Sequence, residues 1–435
     1  MRVPLPLTCG LAYLVFGLFC IFAVAPAARA QTTVGGIVIE GASRFSVAQV
    51  TAATGLKVGQ AADNPTLDAA ASRLSDTGAF SEVTYRYQTA NGKITVTFHV
   101  VEEPKSMLCA FDNFVWFTAE EIDRAVRADV PLFDGRLPVD GTLPKDVATA
   151  LEHLLAQRHV TATVIYRPSG QIGKPPTEYL YAAEGDLPTV KSVEYAGGPI
   201  DQTAFSVATQ RLLGHPFSVT YTRLLADNDL TVIYRNHGYL SAHFADAKQT
   251  FAPGASSTDS GSVSVVFTVT PGLQYTWRGA DWTGNQNYSG ADLDQFLGMK
   301  AGDIAAADKI SAGVDAIREA YGKKGYIATK LSPNQAFDDS AKQVHYSFEI
   351  LEGSQFRMGM VTHSGADDKV ADKVRKAWRL KPGDVYDASY AREFMKKDYY
   401  AAIAGSPLDS PSAHPSVSIR PNLNTLMVDV TIAGN

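Results

Sequence analysis

Apolar and polar positions alternate in five separate stretches of the chain. Ile94, Val96, Phe98 and Val100 alternate with polar residues and run into Glu102-Glu103-Pro104. Tyr179 and Tyr181 alternate up to Glu184-Gly185. Val263, Val265, Phe267 and Val269 run into Pro271-Gly272, and Val344, Tyr346, Phe348 and Ile350 into Glu352-Gly353. Leu426, Val428, Val430 and Ile432 run into Gly434. Period two predicts strands with one buried face. The stretches end about 80 residues apart, so the chain repeats itself.

The same order of signals precedes each strand. In the fourth repeat, the alternating segment Leu273–Trp282 predicts a first strand. A short helix follows Ser289 and reaches Leu297, where Gly298 to Asp303 predicts a turn. A longer helix carries Ile310, Val314, Ile317 and Tyr321, whose spacing puts them on one face. Gly322 to Gly325 ends that helix, and Tyr326-Ile327-Ala328 is expected to begin a second strand. Matching turns read Leu56-Lys57-Val58-Gly59, Leu213-Gly214-His215-Pro216 and Leu380-Lys381-Pro382-Gly383. The second helix ends in Thr77-Gly78-Ala79-Phe80 in the first repeat and in His237-Gly238-Tyr239-Leu240 in the third.

Three strands with one apolar face and two amphipathic helices make a small two-layer module. The expected fold class is α+β, a tandem array of five βααββ modules, each a three-stranded mixed sheet covered by two helices. The boundaries are 31–104, 105–187, 188–272, 273–353 and 354–435, after a leader at 1–30.

Composition adds a compartment. Arg2, the apolar run Leu11–Ala25 and the Ala28-x-Ala30 pattern before Gln31 fit a cleaved secretory signal. Without residues 1–30 the chain keeps 37 basic and 45 acidic residues, a formal charge of −8 against −6 for the whole. That balance excludes a nucleic-acid binder, which needs a basic stripe. Cys109 is the one cysteine left after the leader, so no internal disulfide is expected. No later segment is apolar enough to span a membrane as a helix.

The βααββ order, the Leu-x-x-Gly turn and the Gly-Tyr step after the second helix resemble the POTRA domain. The most specific pieces are Asn236-His237-Gly238-Tyr239-Leu240-Ser241-Ala242 and Lys323-Lys324-Gly325-Tyr326-Ile327-Ala328. They are similar to the later POTRA units of BamA-type outer-membrane assembly proteins. Two departures stand out. The second repeat reads Gln157-Arg158-His159-Val160, without the glycine. The sequence also stops at Asn435, where that family continues into a β-barrel, so membrane insertion is not expected of this chain.

The resemblance implies an exported, periplasmic, non-enzymatic scaffold associated with the outer membrane through its partners. Those partners are unfolded or extended outer-membrane proteins, or a β-barrel assembly partner. It implies strand addition at the second strand of a module, a sheet edge with unpaired backbone groups. The candidate edge residues are Ser81, Val83, Tyr85 and Tyr87, then Thr161, Thr163 and Tyr166, then Tyr239, Ser241 and His243. The alternative is a structural accessory subunit of an envelope secretion or assembly complex that handles no client.

Sharper chemistry finds little support. Asp76-Thr77-Gly78-Ala79 and Asp259-Ser260-Gly261 resemble an aspartic-protease pair, but Asp76 follows a helix and Asp259 lies in a Ser/Gly-rich loop, where strands are needed. The histidines form no zinc-binding helix pair; His153 and His159 are expected at the surface or as caps. No phosphate-cradling loop or nucleophile elbow occurs, so no cofactor and no metal is expected. Cys109 is expected to be a small buried residue. Trp277, Trp282 and Trp378 are expected in cores, and Asn287-Tyr288-Ser289 in a loop.

Overall fold

The computed structural model describes residues 32–434 except 172, 198–199, 255–259, 407 and 410–413. The expected leader, with Ala28 and Ala30, and Asp259 lie outside the described residues.

The fold is α+β with mixed sheets, and five sheets follow one another along the chain. The first holds β1 (Thr33–Glu40), β2 (Phe80–Ala90) and β3 (Lys93–Glu102) in the order β1-β3-β2. β1 runs parallel to β3 and β2 antiparallel to it. Between β1 and β2 come α1 (Val47–Thr54) and α2 (Asn64–Asp76). The second sheet has the order β5-β4-β7-β6. Its elements are β4 (Ser106–Phe111), α3 (Ala119–Asp129), β5 (Arg136–Pro138), α4 (Leu143–Gln157), β6 (Ala162–Ser169) and β7 (Glu178–Gly185).

The third sheet starts with β8 (Thr189–Ala196) and α5 (Gln202–Gln210). Its second helix is α6 (Val219–Leu225) and α7 (Thr231–Asn236), joined by a π-helical turn over 226–230. β9 (His243–Phe244), β10 (Lys248–Ala252) and β11 (Ser262–Thr270) complete it. The fourth holds β12 (Thr276–Thr283), α8 (Gly290–Leu297), α9 (Ala307–Lys323), β13 (Lys330–Asp338) and β14 (Gln343–Leu351). The fifth holds β15 (Arg357–Ser364), α10 (Asp368–Ala377), α11 (Tyr390–Lys397), α12 (Tyr399–Ile403), β16 (Ser416–Asn422) and β17 (Met427–Ala433). Two compact units contain these elements, one of residues up to 110 with 119–154 and 164–181, the other of 111–118, 155–163 and 182–434.

The central strand of a sheet carries its core. Val96, Phe98 and Val100 of β3 are buried, as are Val263, Val265 and Phe267 of β11, Val344, Tyr346, Phe348 and Ile350 of β14, and Val428, Val430 and Ile432 of β17. In the fourth sheet Leu293, Leu297, Ile310, Ile317 and Tyr321 pack on β14 from α8 and α9. Ser289 caps α8 in a capping box with Asp292, and Gly298 closes it in the left-handed conformation.

Several expectations need correction. Two sheets have four strands, not three. Arg136–Pro138 pairs with β4 and adds β5, and the outer strand of the third sheet is split into β9 and β10. The second strands also begin later than Tyr239 and Tyr326. Their N–H groups close the preceding helices by donating to Tyr234 O and Tyr321 O, both at 3.1 and 3.0 Å respectively. A further turn follows each, with Ala242 N–H on Tyr239 O at 3.0 Å and Thr329 N–H on Tyr326 O at 3.4 Å. In the fourth sheet the first strand starts at Thr276 rather than Leu273.

His159 stands where the second helices of the other repeats are followed by a left-handed glycine. Its φ is +58°, and Val160 N–H donates to Leu155 O at 3.1 Å, the same six-residue closure made by Tyr239 and Tyr326. The second repeat keeps the left-handed turn without the glycine.

Candidate polypeptide-binding edges

The outer strands of the sheets are the candidate sites. β2 is the longest, at 11 residues, and contains no proline. Asn91 and Gly92 alone join it to β3, with φ of +51° and +73°, a mirror-type two-residue turn. Such a turn is flanked by a hydrogen-bonded pair, here Ala90 and Lys93. Alternation then turns the N–H and C=O of Thr89, Tyr87, Tyr85 and Val83 away from β3, toward the open side of the sheet. Ser81 sits in the bulge between Phe80 and Glu82.

The side chains of this edge are pinned. The Tyr85 hydroxyl donates to Asp68 of α2 at 2.6 Å, and that carboxylate pushes the phenol up to about 12. The Tyr87 hydroxyl donates to Asn64 at 3.2 Å. The rings lean on α2.

β6 is also an outer strand, but it is guarded. Val164 N–H donates to the Glu152 carboxylate of α4 at 2.9 Å. Thr161 precedes the strand; Thr163 and Tyr166 are exposed on it, with Tyr166 stacked on Tyr181 at 5.5 Å. Pro168 interrupts its donors near the end. Glu152→Ala is expected to release the Val164 amide and speed its hydrogen exchange by about tenfold, equivalent to a charge-assisted bond of roughly 1.5 kcal/mol. Unchanged exchange at Val164 would show that the carboxylate does not guard the edge.

The third predicted edge is not one strand. Tyr239 packs against the core and Ser241 lies in the turn, while His243 belongs to the two-residue β9. The outer backbone of that sheet is β10 instead, five residues without proline. β13 and β16 are interrupted by Pro333 and Pro421, and a proline removes a donor just where an added strand needs one.

Other singled-out residues have structural places. Asp76 ends α2, and its carbonyl accepts from Thr142 N–H at 2.8 Å. His153 is exposed and pairs with Asp129 at 2.9 Å. Cys109 lies half-buried on β4, and burial pushes its thiol up to about 12, far from a nucleophile's range. Trp277 and Trp378 are buried, and Trp282 stacks on Phe348 at 4.6 Å. Asn287 lies in the loop after β12, bonded to Glu352. Among the described residues no group of three or more His, Cys, Asp or Glu is placed to hold a metal ion, and no helix is long and apolar enough to cross a membrane.

One repeated device escaped the sequence reading. Glu352, buried after β14, accepts from Gln286 N at 2.7 Å, Asn287 N at 2.9 Å, Asn287 Nδ2 at 2.5 Å and the Tyr321 hydroxyl at 2.8 Å. Glu102, at the end of β3, accepts from Ser43 N and Oγ, both at 2.8 Å, and from Arg44 N at 2.7 Å. In both sheets a carboxylate after the central strand ties down the loop that follows the first strand. An acid at the end of the first and fourth alternating runs was the available signal.

The comparisons agree with these two sheets. The family model described as "POTRA: Surface antigen variable number repeat" matches residues 32–103 and 275–353. An outer-membrane assembly-factor candidate of Treponema pallidum is 24% identical over 156 residues, which is 36% of this chain and 18% of that protein. The outer membrane protein assembly factor BamA of Neisseria meningitidis serogroup B is 22% identical over 384 residues, 84% of this chain and 46% of that protein. The match thus spans less than half the length of either relative. The crystal structure of Haemophilus influenzae BamA POTRA3-5 superposes with a TM-score of 0.42 at 19% identity, covering 57% of this chain and 96% of that one. Residues 32–103 and 275–353 thus match the POTRA family model, and the chain resembles BamA-type outer-membrane assembly proteins.

Proposed function

We propose that this chain is a periplasmic, non-enzymatic scaffold for outer-membrane protein assembly, and that it binds extended polypeptides by strand addition. Its five sheets with their helices are five POTRA-like βααββ modules, at 31–104, 105–187, 188–272, 273–353 and 354–435, the second and third carrying an extra strand. The observation that carries the binding reading is β2, a long outer strand without proline whose turn geometry aims alternate backbone groups outward. The similarity to BamA-type assembly factors supports the setting.

Tyr87 provides the test. Its N–H faces outward, so Tyr87→Pro removes one donor from the open edge and leaves the β2–β3 ladder intact. Tyr87→Ala removes the ring and keeps the N–H. An extended peptide is expected to bind the wild type and Tyr87→Ala alike, and Tyr87→Pro about fivefold to tenfold more weakly, as one lost backbone bond implies. Equal binding by all three would remove β2 as the site. No binding to any of them would favour a structural accessory subunit.

A further inference from the structure

A cavity of about 440 Å³ lies in the second compact unit, where β10 ends. Trp116 and Phe251 form its aromatic wall, with ring centroids 6.2 Å apart and edge to face. Arg158, His159, Thr161 and Asp186 are among the other lining residues. The space exceeds any single side chain and lies within the range of small-ligand sites.

Three observations point to the same occupant. β10 is a proline-free outer strand, and Pro253 directly after it ends the run of donors. A chain paired with β10 therefore leaves the sheet at the cavity, whose wall includes β10's own Phe251. The lining brings two aromatic rings, a guanidinium and an imidazole together with one carboxylate, and the rings and the cation suit a π-system more than an aliphatic group. Finally, His159 holds a left-handed φ of +58° at its rim, a conformation that glycine holds after the second helices of the other repeats. Where glycine would add nothing to the lining, this residue brings an imidazole.

We propose that this cavity takes an aromatic side chain of an extended polypeptide lying along β10. The inference rests on the strand-addition reading and adds side-chain selectivity to it.

The test uses the full chain without its leader and two synthetic peptides. Both alternate threonine and valine; one carries a single phenylalanine, the other alanine in its place. The phenylalanine peptide is expected to bind about tenfold more tightly, as burial of one ring implies. Trp116→Ala should abolish the difference and Trp116→Phe should restore most of it. Equal binding of the two peptides by the wild type would overturn the cavity and leave strand addition standing. Failure of both peptides to bind would overturn both. The comparison on the wild type needs no variant, so a misfolded Trp116→Ala would not shelter the proposal.

Discussion

Replacing Glu352 by alanine is expected to destabilise the fourth sheet by about 3–4 kcal/mol, because four donors in a buried setting lose one charged acceptor. The donors are the N–H groups of Gln286 and Asn287, the Asn287 amide and the Tyr321 hydroxyl. Tyr321 is fully buried, so its hydroxyl has no ready access to water. Glu352→Gln keeps the shape and loses the charge, and about half the effect is expected. The pH dependence has a definite sign. Burial raises the Glu352 carboxyl, yet the donors from Asn287, Tyr321 and Gln286 outweigh it and hold the group below its ordinary value. A carboxylate depressed in the folded state adds stability above its unfolded pKa, about 4.3. That stability is lost as pH falls through the folded value. Acid should therefore weaken the 284–289 loop in the wild type, and Glu352→Gln should flatten that part of the profile. Hydrogen exchange at Gln286 and Asn287, followed with pH, measures both. Equal protection in wild type and Glu352→Ala would mean that the carboxylate does not hold the loop.

The central strands were legible because burial of one face imposes period two on the sequence, and β3, β11, β14 and β17 all lie under the alternating runs. The helices of the fourth sheet were legible for a similar reason. Ser289 and Gly298 are local signals at the two ends of α8, and Ile310, Ile317 and Tyr321 face one core from α9. The starts of the second strands were not legible. Tyr239 and Tyr326 are strand-forming residues after a glycine, but their N–H groups are spent on closing the helix, and a turn intervenes. Composition does not distinguish those two uses of a backbone donor. β5 has three residues, too few for any periodicity. The split of the outer strand into β9 and β10 has no such mark either. The edges themselves were partly legible: β2 and β6 stood where the repeat order put them, but the guard from Glu152 and the tie from Glu352 join residues 12 and 65 or 66 positions apart. The second kind of pairing is a property of the folded chain; the sequence shows the acid at the end of the run but not the loop it holds.

The loop held by Glu352 begins with a glycine, and Gly284→Ala is expected to be at least as damaging as loss of the carboxylate. Gly284 has a φ of +78°, a conformation that L side chains adopt at a cost of about 1 kcal/mol even in open space. Space is not open here. A Cβ on Gly284 would lie 2.2 Å from the carbonyl oxygen of Ile350, a backbone atom near the end of the sheet's central strand. No rotamer change relieves that contact; either the loop or β14 has to move. Moving the loop pulls Gln286 and Asn287 off Glu352, and moving β14 disturbs the core at Ile350. A loss of about 3–5 kcal/mol is expected, from strain and broken hydrogen bonds together. Gly41 is in the same position after β1, with φ of +91° and a Cβ that would lie 2.1 Å from Val100 O. The first sheet also has its carboxylate, Glu102, on the loop that follows. Gly41→Ala should therefore repeat the result in the first sheet, while Gly298→Ala, at φ of +71° with nothing within 4 Å of the added carbon, should show the conformational cost alone. Thermal unfolding of the three variants separates the contributions. A Gly284→Ala protein no less stable than Gly298→Ala would show that the close approach to Ile350 is not what holds the position to glycine.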